Sequence, residues 1–404
     1  MNLISRLKEN NFRELISFES FFTLLIFTFP FANAFMYPFL VLSFIFFLIE
    51  KRYKEVDFKH NTPLLIYIAF VLFLYIQGII NQTLLDDFRL NSKLFIIFFL
   101  FLFTTTYKWK DKNLIGEKAF IYGVTTGIII SIFRITKHWF LYNEVPLSLG
   151  SLVNDLLIVN RPYLGIFIAT SLFIQLKNIS NSVWSKNHYY LVVFQLAFLI
   201  FISARLAVAL SIIILVAHFV YQLKNQKKKL IWLFIGFAFL LSALVFNPIM
   251  QKRFKVEEDF KVDVERVLDH EPRYVIYSCA LRFLNEGIPF FGFSGNTELQ
   301  TKLNQCYEAS IEKKKKRDYY LTAQFHTHNA FLNFTFLGGW LALFLFILLL
   351  FYPITNSKFS MASKCMIGIL ISFLMFENVL YTNHGSMFFG ILFMYFFKNE
   401  KSTQ

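Results

Sequence analysis

Apolar runs of membrane-crossing length recur along almost the whole of this chain, and they constrain its fold more than any other feature. A helical span needs about 20 predominantly apolar residues. Windows of that kind fall near 15–34, 37–49, 62–80, 91–106, 118–136, 162–176, 188–203, 205–222, 229–247, 328–351, 361–376 and 384–397. They predict about 12 transmembrane helices, the second, sixth and twelfth being short. Composition agrees: 56% of the residues are hydrophobic, 55 are phenylalanine and only 16% are charged, where a soluble globule carries roughly 25% charged residues. Such a globule could not hide this much aromatic surface, and 15 glycines with 9 prolines exclude collagen-like and disordered chains. The expected fold is an all-α polytopic membrane protein in a lipid bilayer.

The chain carries 40 Lys+Arg against 26 Asp+Glu, a net charge of +14. On a soluble protein this would raise nucleic-acid binding. In a membrane protein the first explanation is topological, because cytoplasmic loops collect Lys and Arg. Alternate loops do so here: KRYK at 51–54, Lys108 to Lys118, Lys177 with Lys186, Lys224 with KKK at 227–229, Lys358 with Lys364, and Lys398 with Lys401. Arg6, Lys8 and Arg13 place the N-terminus on the same side, so both termini are expected in the cytoplasm. The long outer segment 248–327 is basic, but loops above about 60 residues are exempt from the rule. Three regions follow: a membrane domain of nine spans over 1–247, the outer loop 248–327, and a membrane domain of three spans over 328–404. The stretch FPFANAF (29–35) imitates a signal-peptidase site, but a second apolar run starts almost at once, so the first span is expected to stay uncleaved. No period of 20–50 residues repeats, and the halves lack the matching Gly/Pro-broken helices of inverted-repeat transporters.

The outer loop has its own composition. In RYVIYSCALRFL, residues Tyr274, Ile276, Tyr277, Ala280, Leu281 and Leu284 recur at helical spacing, which predicts an amphipathic helix on or near the membrane face. Pro272 suits its first turn, and GFSGN supplies a turn to stop it. The run KKKKR (313–317) reads as a solvated face or as a contact for anionic headgroups and lipopolysaccharide phosphates. Cys279 and Cys306 share this loop, which leaves a disulfide between them open. With Cys365 they form no CxxC and no zinc-ligand spacing. His326 and His328 end the loop. At i and i+2 they do not share a helical face, so one functional imidazole is favoured over a metal pair, against the plainer reading of interfacial histidines with satisfied hydrogen bonds.

Arg205 interrupts the apolar run 191–223. A charge at mid-bilayer costs about 2.5–3.5 kcal/mol even on the lenient insertion scale. A tight hairpin at Ser203–Arg205 moves the guanidinium to the outer interface instead. Arg89, Arg161 and Arg273 are also outer by the loop count. Four arginines facing one aqueous vestibule would make an anion site suited to phosphate; the plain alternative is snorkelling. Glu377, at the outer end of the eleventh span, is placed to pair with and orient an arginine or a histidine.

Four stretches carry a resemblance. HTHNAFLNFTFLGG resembles the His-Asn, nine residues, Gly pattern of the O-antigen ligase and O-antigen polymerase superfamily, matching His328, Asn329 and Gly339, with Ala342 at the next small position. EPRYVIYSCA followed by PFFGFSG resembles that family's loop helix, with Arg273 at its essential arginine, Tyr277 where tryptophan is more usual, and Gly292 to Gly295 as the Gly-rich turn. ISARLA resembles the turn that carries a second essential arginine, here Arg205. FENVLYTNHGSMFF resembles the late Glu-x-x-Leu segment.

The resemblance implies a twelve-span bacterial inner-membrane glycosyltransferase with one large periplasmic loop and a periplasmic active site. Its donor would be an undecaprenyl-pyrophosphate-linked glycan and its acceptor a hydroxyl of lipid A–core. Arg205 and Arg273 would hold the pyrophosphate and His328 would act as general base or position the acceptor. Arg161, Arg89, His326, Asn329 and Glu377 join them as candidate substrate-binding residues. No metal or other cofactor is expected, and no nucleic acid. A polymerase extending repeats on the lipid carrier would use the same donor site. A polysaccharide or lipid transporter is the alternative of another class, and it predicts ionisable residues near the midplane and internal symmetry.

Overall fold

The computed structural model describes residues 16–59, 61–107, 114–143, 152–181, 184–185, 188–223, 272–357 and 359–398. The ninth window, the outer loop up to 271, and the basic residues of the N-terminus, 108–112, 186, 224–229, 358 and 401 lie outside them. The described residues form helices and no strand: α1 Phe18–Thr28, α2 Asn33–Ile49, α3 Thr62–Ile80, α4 Phe88–Thr106, α5 Ile115–Tyr142, α6 Leu152–Leu156, α7 Arg161–Ser180 and α8 Tyr189–Phe201. Then follow α9 Arg205–Leu223, α10 Pro272–Glu286, α11 Gly295–Ser310, α12 Lys314–Ala323, α13 Ala330–Thr355, α14 Met361–Leu374 and α15 Asn383–Lys398. Five of them, α3, α4, α5, α7 and α13, are long and apolar enough to cross a membrane. Every predicted window except the ninth coincides with a helix. The first ends early, because FPFANAF is the turn between α1 and α2, where Phe31 and Ala32 donate their N–H groups to Thr28 O.

The chain divides into two compact units, residues 1–50 with 107–255 and residues 51–106 with 256–404. In the first unit α7 is enclosed by its neighbours, with 83% of its apolar window buried. That explains why its window looked short. Gln175 and Asn178 are buried, and their bonds run sideways to other helices instead of to water. Gln175 donates to Gln195 Oε1 at 2.9 Å, Gln195 to Thr125 Oγ1 at 3.0 Å, and Asn178 to Glu117. Lys177 stands 3.7 Å from the same carboxylate. Polar groups inside a membrane domain persist where they satisfy one another.

The second unit packs α15 on α4 through stacked Phe101, Phe389 and Phe393, and α13 on α3 through Phe70, Phe334 and Phe346. Residues 272–323 of this unit form the helical set α10 to α12. A disulfide joins Cys279 of α10 to Cys306 of α11, with Cα atoms 6.0 Å apart, which closes the question left open by sequence. The inner face of α10 is Ile276, Cys279, Ala280 and Phe283, all buried. Of the predicted stripe, Ile276 and Ala280 join this inner face, whereas Tyr274 and Leu281 are 52% and 60% exposed. The helix also stops before GFSGN, at Gly287 with φ +91°.

GFSGN has another task. Inside α13, Gly339 adopts φ 65°, ψ −162°, a region essentially confined to glycine, and the helix breaks there. Trp340 N–H, which an unbroken helix would give to Phe336 O, goes to Phe290 O at 3.2 Å, and Phe336 O takes Phe293 N–H at 2.6 Å. Gln77 of α3 donates to Leu337 O at 2.7 Å and also to Phe291 O. The loop therefore splices itself into the broken ladder, and these backbone groups of a spanning helix stay satisfied, as the hydrocarbon phase demands.

Candidate functional site

In the second unit, oppositely charged and titratable side chains from three helix ends meet. Arg273 follows Pro272 at the start of α10. Glu377 lies just past the end of α14, its N–H bonded to Phe373 O at 2.9 Å. His328 precedes α13, which is capped by the Asn329 side chain accepting Leu332 N–H at 3.0 Å. Arg273 Nη2 donates to Glu377 Oε1 at 2.7 Å, and His328 Nδ1 faces Glu377 Oε2 at 3.4 Å. The carboxylate is 8% exposed, so the ion pair is shielded on its acidic side. The guanidinium also lies over the Phe376 ring, 6.0 Å from its centroid.

His328 has φ 47°, a left-handed conformation that costs a residue with a Cβ roughly 1–2 kcal/mol. Its peptide groups are held on both sides. His326 Nδ1 accepts its N–H at 3.1 Å, and the Tyr277 hydroxyl reaches its carbonyl at 3.5 Å and that of Met375 at 3.3 Å. The two imidazoles consequently use Nδ1 in opposite ways: His326 accepts at Nδ1, whereas a donor at His328 Nδ1 suits the facing Glu377 carboxylate. The rings approach to 4.2 Å between centroids. The i, i+2 argument that kept them apart assumed a helix, and this segment precedes one.

Behind His326 lies a second set of groups. Burial, then the neighbouring His328 and the Arg89 charge, hold the His326 imidazole down to about 3. Its ring stacks against Tyr381 at 6.2 Å. Tyr381 receives a hydrogen bond from Asn333 at 3.0 Å and donates to Asn296 Oδ1 at 3.3 Å, and Asn296 N–H reaches Asp87 Oδ1 at 2.7 Å. Burial raises the Asp87 carboxyl and the Tyr381 phenol above their usual ranges. Tyr381, Asn333, Asn296 and Asp87 escaped the sequence reading, because no spacing links residues that meet only in the fold. On the α11 side, Tyr307 and Gln300 donate to Phe325 O at 3.1 and 3.4 Å and fix the histidine segment from outside.

The structure thus brings Arg273, Glu377, His328, His326 and Asn329 together, with Arg89 close enough to act on His326. Arg205 and Arg161 belong to the first unit. Arg205 opens α9 after Ser203, which has φ 53°, so the predicted tight turn is present and the side chain is exposed. Arg161 opens α7 and is 9% exposed. Gly165, one turn into α7, would place a Cβ 2.8 and 2.9 Å from the Ala204 and Ala207 methyls, so only glycine lets the two helix starts lie this close. Both arginines therefore stand at one end of the α7–α9 pair, where helix N-termini favour anions.

Fold and side-chain placement define the class: an all-α, multi-pass membrane protein with an Arg–Glu–His cluster at helix ends. Residues 190–347 match a family model described as O-antigen ligase, which bears out the resemblance to the O-antigen ligase and polymerase superfamily. No curated protein matches the chain.

Proposed function

We propose that the protein is a glycosyltransferase of the bacterial inner membrane that moves a glycan from undecaprenyl pyrophosphate onto a sugar hydroxyl of lipid A–core. The observation that carries this reading is Glu377 bridging Arg273 and His328. By accepting from Nδ1 the carboxylate fixes the His328 tautomer, so Nε2 is the basic nitrogen and can take the proton of an acceptor hydroxyl. That oxygen attacks the anomeric carbon of the donor sugar, the bond to phosphate breaks, and the lipid pyrophosphate leaves. Arg273 keeps donors beyond the one given to Glu377, and these stabilise the charge that develops on the leaving oxygens. His326 and Tyr277 hold the His328 backbone in its strained conformation. In the first unit, Arg205 and Arg161, each at a helix start, are the phosphate-binding candidates that the family resemblance implies. The chemistry of this site needs no metal. The Cys279–Cys306 bond supports a periplasmic outer loop, since disulfides persist in that compartment, and the lysine alternation supports cytoplasmic termini.

Alanine at Arg273, His328 and Arg205, one at a time, tests this in the host by gel analysis of surface glycans. Loss of lipid A-linked polymer while undecaprenyl-linked polymer accumulates is expected. Accumulation of single repeats would identify a polymerase instead, and unchanged glycans with all three variants expressed would sink the assignment.

A further inference from the structure

Away from the charged site, the segment after residue 272 contains a cleft of about 230 Å³ between α10 and α11, a little below the roughly 300–1,000 Å³ of drug-sized ligand sites. Arg282, Phe283 and Glu286 line it from α10, Lys302 and Gln305 from α11, and Phe293 from the connection. We infer that this cleft is a glycan subsite, taking uncharged sugar units of a chain whose end lies at Arg273 and His328. The inference rests on the transferase reading for the identity of that chain.

Three features point to a sugar. The floor is apolar and the rim polar: Phe283 and Phe293 are 8% and 7% exposed, while the Arg282 and Glu286 side chains are 59% and 58% exposed. A pyranose likewise has C–H faces and an edge of hydroxyls, and planar guanidinium, carboxylate and amide groups match hydroxyl pairs as donors and acceptors. Charge is balanced within the rim. Arg282 is bonded to Glu286 at 2.8 Å, and Lys302 stands 3.7 Å from Glu298 and 5.0 Å over the Phe293 ring. A phosphate or other polyanion would meet no uncompensated cation here, whereas a neutral polar ligand meets a full set of donors and acceptors. The walls, finally, are tied: Cys306 lines the cleft and is bonded to Cys279 of the opposite helix, so the spacing is set before a ligand arrives.

Position supplies the link to the reaction. Arg273 and Arg282 lie on one uninterrupted helix, so the cleft is displaced along it by roughly 13 Å. A chain reacting at one end of α10 would lay sugars a few units back against the other end. The donor glycan and the acceptor core are both sugar chains, and the test separates them.

Full-length protein in nanodiscs is titrated with two probes: oligosaccharide fragments of the host's own surface polysaccharide, and core oligosaccharide released from its lipopolysaccharide. Binding is read by saturation-transfer NMR. One probe is expected to bind, the first identifying the donor strand and the second the acceptor strand. Arg282→Ala with Gln305→Ala should weaken that binding about tenfold or more, and Lys315→Ala, at an exposed position outside the cleft, should leave it unchanged. Should the double variant melt below wild type, Arg282→Gln, which keeps most of the side-chain bulk, takes its place. Binding by neither probe, or equal binding by wild type and variants, overturns the inference. Transfer that survives Arg273→Ala and His328→Ala overturns the transferase reading alone, since the binding result stands without it.

Discussion

Replacing Gly339 by alanine should separate what holds the site together from what reacts in it. The residue sits at φ 65°, ψ −162°, where a side chain costs about 1–3 kcal/mol in backbone strain. The new methyl would run into the Phe290 carbonyl oxygen and stand 2.6 Å from Gly292 N, so the loop must withdraw. Withdrawal breaks Phe293 N–H to Phe336 O and Trp340 N–H to Phe290 O, each contributing roughly 1 kcal/mol net. The sum is about 3–5 kcal/mol, a large share of typical protein stability. In detergent this corresponds to a fall in melting temperature of order 5–10 °C, measured by tryptophan fluorescence. Transfer should fall as well, because α10 carries Arg273 and is anchored through this loop. Two other glycines calibrate the result. Gly368, where an added methyl would meet nothing within 4 Å, should be neutral or gain up to about 1 kcal/mol as alanine. Gly287, with φ 91° and equally open surroundings, should lose only about 1 kcal/mol. If Gly339→Ala melts like Gly368→Ala and transfers normally, the spliced loop is not what positions the site.

His328→Ala should lower transfer about 10²–10⁴-fold, the usual range for a general base, measured with lipid-linked donor in vesicles; Glu377→Gln should lower it less while leaving donor affinity nearly intact, and an unaffected rate would remove Glu377 from the mechanism. Cys279→Ser, which opens a bridge of sequence separation 27, should cost about 3–4 kcal/mol on chain-entropy grounds, and maleimide should then label Cys306; equal melting of wild type and variant would contradict this. His326, held at about 3 when folded against an ordinary imidazole value of 6.5, takes its proton earlier in the unfolded chain. Its contribution to stability is full above about pH 6.5 and lost as pH falls toward 3, about 2 kcal/mol being gone at pH 5. His326→Asn, which keeps an acceptor for His328 N–H, should flatten the dependence of melting temperature on pH between 5 and 8; an unchanged slope would assign that dependence to other groups.

The helices were legible because lipid imposes one period and one length on every span, so α3, α4 and α9 end within a few residues of their windows. Where protein replaces lipid as the neighbour, the signal weakens. Gln175 falls at the end of the sixth window and Asn178 lies beyond it, yet both are on the buried side of α7. On α10 the inward-packing side was not legible, because Cys279 counts as weakly apolar, yet it is the residue bonded across to α11. At the site, Arg273 and Glu377 were legible as charges near a membrane face and His328 as a lone imidazole at the start of a span. The closeness of the two histidines, the clamp on the His328 backbone and the Tyr381–Asn296–Asp87 chain were not, since each depends on backbone turned by a distant segment.

The break in α13 also bears on how the protein is made. The insertion machinery weighs a segment by its apolarity, and α13, at mean hydropathy 2.5, enters lipid as readily with a continuous backbone as with a broken one. Until the outer segment is complete, Trp340 N–H and Phe336 O have only each other, and the unbroken helix is the satisfied state. Arrival of Phe290 and Phe293 exchanges that one bond for two. In the proposed topology, crossing the membrane and assembling the candidate site are thus successive events, and the second needs the segment that the Cys279–Cys306 bond ties together.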